Sequence, residues 1–304
     1  MTALRIGSRG SALALWQAEH VRSWLAARGQ AAEIIRIRTA GDQFQRGSVA
    51  GIGLKGVFIK EIEDALLSGQ VDLAVHSMKD MPTEIPSGLE IAAIPQREDP
   101  RDCLISRRGA KLSGLPEGAR VGTSSLRRAA QLRHHRPDLE IAELRGNVDT
   151  RLRKVQEGAY DAVVLARAGV KRLGYEGRIT EVLEPEVMLP AVGQGALAIE
   201  TRSANTDLFD LFAAFDHAET RTAISAERAV LAALEGGCQV PVGAWARLER
   251  GTLRLDTCVC APDGSEVLRE RSEGPAMRPE ALGRAVARRL RAAGAERLLR
   301  LAGR

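Results

Sequence analysis

The chain predicts an α/β protein: two doubly wound lobes followed by a small α+β domain. Three observations carry this. Strand-like runs alternate with helix-period runs through the first two thirds of the sequence, the signature of βαβ units. Two segments marked by proline and charge, residues 95–100 (PQREDP) and 184–190 (EPEVMLP), interrupt the alternation and read as crossings, two hinge strands between the lobes. After Asp216 the pattern becomes one long helix, short strands and a last amphipathic helix. The expected division is residues 1–95 with 194–215, residues 100–190, and residues 217–304, and a length of 304 residues accommodates two or three domains.

Taken in order, residues 3–6 read as a short strand, and a helix follows from Ser11 with Leu13, Trp16, His20, Val21 and Trp24 at helical spacing. Residues 33–38 alternate as a strand with Ile35 and Ile37 on one face. Residues 41–56 are polar, glycine-rich and without period, which predicts a mobile loop, and long loops inside compact domains are usually functional. A helix over 57–68 and a strand over 71–75 complete the first lobe. The second lobe repeats the alternation: extended chain at 103–106, strand 120–122, helix 125–135, strand 139–143, helix 148–157 and buried strand 162–166. A strand over 197–200 returns to the first lobe. The last domain has a helix over 220–234, strands over 253–260 and 266–272, and a helix from Pro279. The sequence shows no internal repeat.

Composition narrows the function classes. Aromatics are 3% of the chain, too few for stacking platforms along single-stranded nucleic acid. No apolar run approaches the roughly 18 residues that span a bilayer, and the first residues do not read as a signal peptide. A reducing cytoplasm is therefore expected, with Cys103, Cys238, Cys258 and Cys260 as free thiols rather than a disulfide framework. The net charge of +5 rests almost wholly on arginine, since only six residues are lysine. Biased base composition of the gene accounts for arginine in bulk. Arginine also suits a carboxylate-rich ligand, because its planar fork pairs with such groups bidentately.

Position separates these readings. Arg9 follows the first strand, Lys79 and Asp80 the strand 71–75, and Arg127 and Arg128 the strand 120–122. Arg145 and Arg151 follow the strand 139–143, and Lys171 and Arg172 the strand 162–166. A solvated charge face would not track five strand ends, whereas ligands bind at the carboxyl ends of strands in such folds. The expectation is a polyanionic ligand in an inter-lobe cleft. Thr123, Ser124 and Ser125 precede the helix bearing Arg127 and Arg128, and a helix N-terminus offers free N–H groups to an anion. The plainer reading there is a capped helix with two surface arginines, and for Asp80 a turn cap before Pro82. Cys238 lies in LEGGCQVPVG, where two glycines leave the thiol uncrowded and Pro241 stiffens the exit. No metal-ligand pattern surrounds it. It is open to reading as a buried hydrophobe, a nucleophile or an attachment point.

At these residues the sequence resembles the porphobilinogen deaminase (hydroxymethylbilane synthase) family. The similar blocks are IGSRGSALALWQA (6–18), KGVFIKEIE (55–63), DLAVHSMKDMP (72–82), VGTSSLRR (121–128), LRGNVDTRL (144–152), AVGQGALAIE (191–200) and ERAVLAALEGGCQVPVG (227–243). They keep the family's order across nearly the whole chain. The resemblance implies two lobes similar to periplasmic binding proteins plus the third domain. It implies a dipyrromethane cofactor in thioether linkage to Cys238, onto which four porphobilinogens are added, each losing ammonia, before water releases hydroxymethylbilane. It assigns Asp80 as the catalytic carboxylate. Lys79, Asp80, Thr123, Ser125, Arg127, Arg128, Arg145 and Arg151 become cofactor ligands. Arg9, Ser11, Lys55, Arg145, Arg151 and Arg172 become substrate ligands, and residues 41–56 a lid over the site. The expected protein is a monomer with no nucleic-acid, membrane or metal partner. The rival from another class is a non-enzymatic two-lobed anion-binding module, which leaves Cys238 and the third domain unexplained.

Overall fold

The computed structural model describes residues 3–39, 59–234 and 240–302. The expected lid at 41–56 with Lys55, and Cys238, lie outside the described residues.

In chain order the first elements are β1 (Leu4–Ser8), α1 (Ala12–Ala26), β2 (Ala32–Arg36), α2 (Lys60–Leu67), β3 (Leu73–Ser77) and β4 (Leu89–Ala93). Next come β5 (Asp102–Ser106), β6 (Arg120–Gly122), α3 (Leu126–His135), β7 (Glu140–Ala142), α4 (Val148–Gln156), β8 (Ala162–Ala166), α5 (Arg167–Arg172) and β9 (Glu181–Val182). The chain ends with β10 (Leu197–Arg202), α6 (Thr206–Phe212), α7 (Ala218–Ala233), β11 (Val242–Glu249), β12 (Thr252–Cys260), β13 (Val267–Pro275), α8 (Pro279–Ala292) and α9 (Ala295–Ala302). The expected helix starts are explained by their caps. Ser11, Ser125 and Asn147 are extended, and their side-chain oxygens accept from the backbone N–H three residues on.

One compact unit comprises Met1–Arg97 and Ala196–Arg221. Its sheet has the order β2-β1-β3-β10-β4. Ile6, Leu73, Val75, Leu197 and Ile199 pack beneath α1 and α6, while Ala74 and Val71 pack with Ile62, Ala65 and Leu66 of α2. Both faces are covered, as expected of a doubly wound sheet. The strands are not all parallel, however. β1, β2 and β3 are parallel, and β10 runs antiparallel to both β3 and β4.

The second unit comprises Glu98–Gly195 and Thr222–Arg304 and contains two sheets. The larger has the order β7-β6-β8-β5-β9, with β6, β7 and β8 parallel and β5 antiparallel to β8 and β9. Its faces are closed by α3, through Leu132, and by α4, through Leu152 and Val155. Strand order and direction therefore repeat between the two five-stranded sheets, a repeat of backbone invisible in the side chains. The wholly parallel sheets suggested by alternation are corrected to mixed ones. The reversed strands, β10 and β5, each follow one of the two crossings and enter without a preceding helix.

The antiparallel sheet β11-β12-β13 packs on α7, α8 and α9 through Ala226, Val230, Leu255, Val259, Val286 and Leu298. This is the expected α+β part. α7 and α8 approach closely at Gly283, where an added Cβ would lie 2.3 Å from the Ala226 carbonyl oxygen. β4, β9, β11 and the short helices α5 and α6 were not anticipated, being too short or too evenly apolar to carry a period.

Candidate active site

In the first unit, β1 and β3 end at the same sheet edge. Arg9 follows β1, and Ser11 caps α1 by accepting from Ala14 N–H at 3.3 Å. A single 3-10 turn, Met78–Asp80, follows β3. It is tied to the neighbouring strand's approach by Met78 N–H donating to the Ala196 carbonyl at 3.0 Å. Gln17 of α1 donates to Ser77 Oγ at 2.8 Å, fixing the last residue of β3. Lys79 is half-buried and Asp80 exposed. The turn thus presents a carboxylate to solvent from a well-anchored base.

In the second unit, three parallel strands deliver the rest. After β6, Thr123 is buried and its hydroxyl accepts from Ser125 N–H at 3.1 Å, while Ser125 caps α3. Arg127 and Arg128, one turn into α3, are 4% and 5% exposed. The reading of these as surface arginines is overturned. Both converge on Asp102 at the start of β5: Arg127 Nη1 donates at 2.7 Å, Arg128 Nε at 3.0 Å and Nη2 at 2.8 Å. Gln194 donates a fourth bond at 2.9 Å. Burial works against ionising Asp102, but the two guanidiniums outweigh it and hold the carboxyl down at about 2. Among the described residues, two guanidiniums against one carboxylate leave one positive charge uncompensated at this helix N-terminus.

Arg151 on α4 adds to that excess. Its Nε donates to the Gly146 carbonyl at 2.8 Å, and among the described residues no carboxylate pairs with it. Burial, with Arg128 nearby, lowers its guanidinium to about 10. Arg172, closing α5, donates to the Gly195 carbonyl at 2.7 Å, and burial lowers it to about 10 against the pull of Glu98. Arg145 is exposed and paired with Glu143, so it remains free to exchange that partner. Lys171 pairs with Glu98 at 2.9 Å rather than sharing the role of Arg172.

Two buried acids that anchor these positions escaped sequence reasoning. Asp102 heads an apolar strand, CLIS, directly after the crossing; a charge in that position was the available signal. Glu227 is fully buried in α7, accepting from Gly193 N–H and from Ala246 N–H, both at 2.8 Å. It anchors the helix that leads toward Cys238.

The sites fit an acidic cofactor: a buried guanidinium without a carboxylate, beside a hydroxyl-lined helix N-terminus, leaves positive charge that an anion satisfies. Comparison with known proteins agrees. A family model described as porphobilinogen deaminase, dipyromethane cofactor binding domain, matches residues 4–210, and the model of the C-terminal domain matches 221–292. The chain belongs to the porphobilinogen deaminase family. The porphobilinogen deaminase of Syntrophobacter fumaroxidans is 50% identical over 298 residues, covering 97% of this chain and 96% of that protein. That of Desulforudis audaxviator is 52% identical over 296 residues, covering 97% and 96%. Among solved structures, a periplasmic substrate-binding protein of an ABC transporter from Coxiella burnetii is similar with a TM-score of 0.43 and 15% identity, over 70% of this chain and 91% of that one. The activity is that of the family, a transferase of tetrapyrrole biosynthesis acting on porphobilinogen with a dipyrromethane cofactor. The non-enzymatic anion-binding module is not favoured.

Proposed function

We propose that the chain condenses four porphobilinogens head to tail with Asp80 as the catalytic carboxylate and Cys238 as the cofactor's thioether anchor. The observation that supports an acidic cofactor is the cationic excess of the second unit: Arg127, Arg128 and Arg151 hold more positive charge than the described carboxylates balance. When bound, dipyrromethane supplies the nucleophilic pyrrole carbon at which the product grows.

The protein's side chains do the rest. Lys79, Thr123, Ser125, Arg127, Arg128, Arg145 and Arg151 receive the cofactor's acetate and propionate groups. Ser125 and Thr123 offer hydroxyls at the start of α3, while Arg127 and Arg128, held by Asp102, contribute mainly their field. Arg9, Ser11, Lys55, Arg145, Arg151 and Arg172 hold the incoming substrate and growing chain. Each ring brings two carboxylates, and two like unit charges 4 Å apart repel by about 4 kcal/mol at an effective dielectric of roughly 20. The arginines remove that obstacle. Asp80 stabilises the positive charge that reaches a pyrrole nitrogen as ammonia leaves the substrate, and it relays the proton lost when the new carbon–carbon bond forms.

The third domain, residues 217–304, carries the anchor, and residues 41–56 act as the lid. We also take the protein to be a cytoplasmic monomer; among the described residues no helix is long and apolar enough to cross a membrane. Intact mass and a peptide map test the central claim. A Cys238 peptide carrying the added pyrrole mass is expected, and Cys238→Ser is expected to fold without it. The same adduct in that variant would refute the anchor. Asp80→Asn is expected to keep the adduct but fall below about a tenth of wild-type turnover, a loss typical of a removed proton-transfer group.

A further inference from the structure

Beneath the Lys79–Asp80 turn lies a cluster of ionisable side chains that the proposed chemistry does not use. His76, next to last in β3, and Glu200 of β10 point to the sheet face covered by α2, since Ala198 pairs with His76 and Glu200 with Ala74. His76 Nε2 lies 3.0 Å from Glu200 Oε2, and the two side chains are 4% and 0% exposed. An ionised carboxylate only accepts, so the Nε2–H donates to it. Glu63 comes down onto the same face from α2 and is also buried. One oxygen of Glu63 (Oε1) and one of Glu200 (Oε1) are buried without a hydrogen-bond partner among the described residues.

Three ionisable groups in an apolar layer of Ile62, Ala65, Leu66 and Ala74 are costly unless their charges cancel. A second carboxylate charge beside Glu200 would be unscreened in this layer, so the surroundings favour a proton on Glu63. Burial, then the charge of Glu200, raise the Glu63 carboxyl to about 7, with His76 acting the other way. Among the described residues, the other charged groups toward this layer are Asp64 of α2 and Arg202 of β10, which donates to the Leu66 and Val71 carbonyls. The adjacent positions on β4 and β1, Ile91 and Gly7, are uncharged.

We propose that His76, held by Glu200 in a buried layer shared with Glu63, is a positioning residue that fixes the carboxyl end of β3 and so aims Lys79 and Asp80. The inference rests on the reading of Asp80 as the catalytic carboxylate. β3 passes directly from His76 through Ser77 into the turn, with two hydrogen bonds, from Gln17 and to Ala196, holding the junction. Displacing such a turn by about 1 Å is enough to cost on the order of a hundredfold in rate. Ionising Glu63 sets a second buried carboxylate against Glu200 and loosens the hold, so the alignment depends on pH near neutrality.

The test compares His76→Leu, His76→Gln and Glu63→Gln holoenzymes with wild type. His76→Leu is expected to lose about tenfold or more in kcat with KM changed by less than about threefold, because it misaligns the reacting group rather than removing uniform binding. His76→Gln, which retains an N–H donor for Glu200, is expected to recover most of that loss. The kcat ratio of Glu63→Gln to wild type should rise at least about threefold between about pH 6 and about pH 8.5, because the amide mimics the protonated acid. Wild-type rate in His76→Leu, no recovery in His76→Gln, or a flat ratio would each overturn the proposal.

A second readout is independent of turnover. For a carboxyl raised in the folded state, the stabilising proton is present below the ordinary range and lost as pH climbs to about 7. The melting temperature of Glu63→Gln should therefore gain on wild type across that interval, and a constant difference would exclude the buried proton. If this gain is seen while Asp80→Asn turns over normally, the cluster stands and the role of Asp80 falls.

Discussion

Asp102 receives four side-chain hydrogen bonds from Arg127, Arg128 and Gln194 while fully buried. Its removal strands two guanidiniums without water or counter-ion. Asp102→Ala is expected to cost about 3–5 kcal/mol in urea unfolding, the usual penalty for breaking a buried pair from one side; a loss below about 1 kcal/mol would show the arginines to be solvated. The pH dependence has a definite sign. The carboxyl sits at about 2 in the folded state, below its ordinary 3.8. Its contribution is present above the ordinary value and disappears as pH falls toward 2. At this scale the sequence displayed the cations, Lys79, Arg127, Arg128, Arg145, Arg151 and Arg172, because they follow strand ends. It hid their partners. Asp102 lies 25 residues from Arg127 and Glu200 lies 124 from His76, and only folding brings such pairs together.

At the scale of elements, the crossing segments rather than the helices constrain the geometry. Gly195 has φ +89°, and a Cβ there would lie 2.4 Å from the Glu98 carbonyl oxygen. The same turn receives the Arg172 guanidinium, and Glu98 N–H donates to the Gly195 carbonyl at 3.3 Å. Gly195→Ala combines a left-handed conformation with a backbone collision, so it is expected to destabilise by well over the ~1 kcal/mol of an ordinary glycine replacement. It should also raise KM for porphobilinogen by displacing Arg172. Wild-type stability and KM together would contradict this reading of the turn. Helix starts at Ser11, Ser125 and Asn147 were legible because capping is a local contest between a side chain and the backbone. The direction of β5 and β10 was not, since nothing in either strand's own residues marks which way it runs in the sheet.

For the whole molecule, the excess of arginine has a thermodynamic consequence. A tethered cofactor brings its carboxylates against unbalanced guanidiniums only in the folded state, and so stabilises it. Apo-protein is expected to melt several degrees below holoprotein, with the gap narrowing as sulfate or chloride rises and screens the arginines. Equal melting temperatures at low salt would mean that the cationic excess is balanced without cofactor. The net charge of +5 understates the effect, because the sum over the chain conceals how the charge is grouped.

The sequence by itself determined the α/β class, the small third domain, the helix boundaries set by caps and the family, through motifs spread from residue 6 to residue 243. These are matters of local periodicity and local chemistry. Tertiary structure alone decided that each large sheet is mixed, that both repeat one strand order, that Arg127 and Arg128 are buried on Asp102, and that His76, Glu200 and Glu63 share a dry layer. The physical reason is common to all four. Strand direction and the pairing of buried charges depend on contacts between residues far apart in the chain, where desolvation makes a partner obligatory and sequence spacing does not say which one it is.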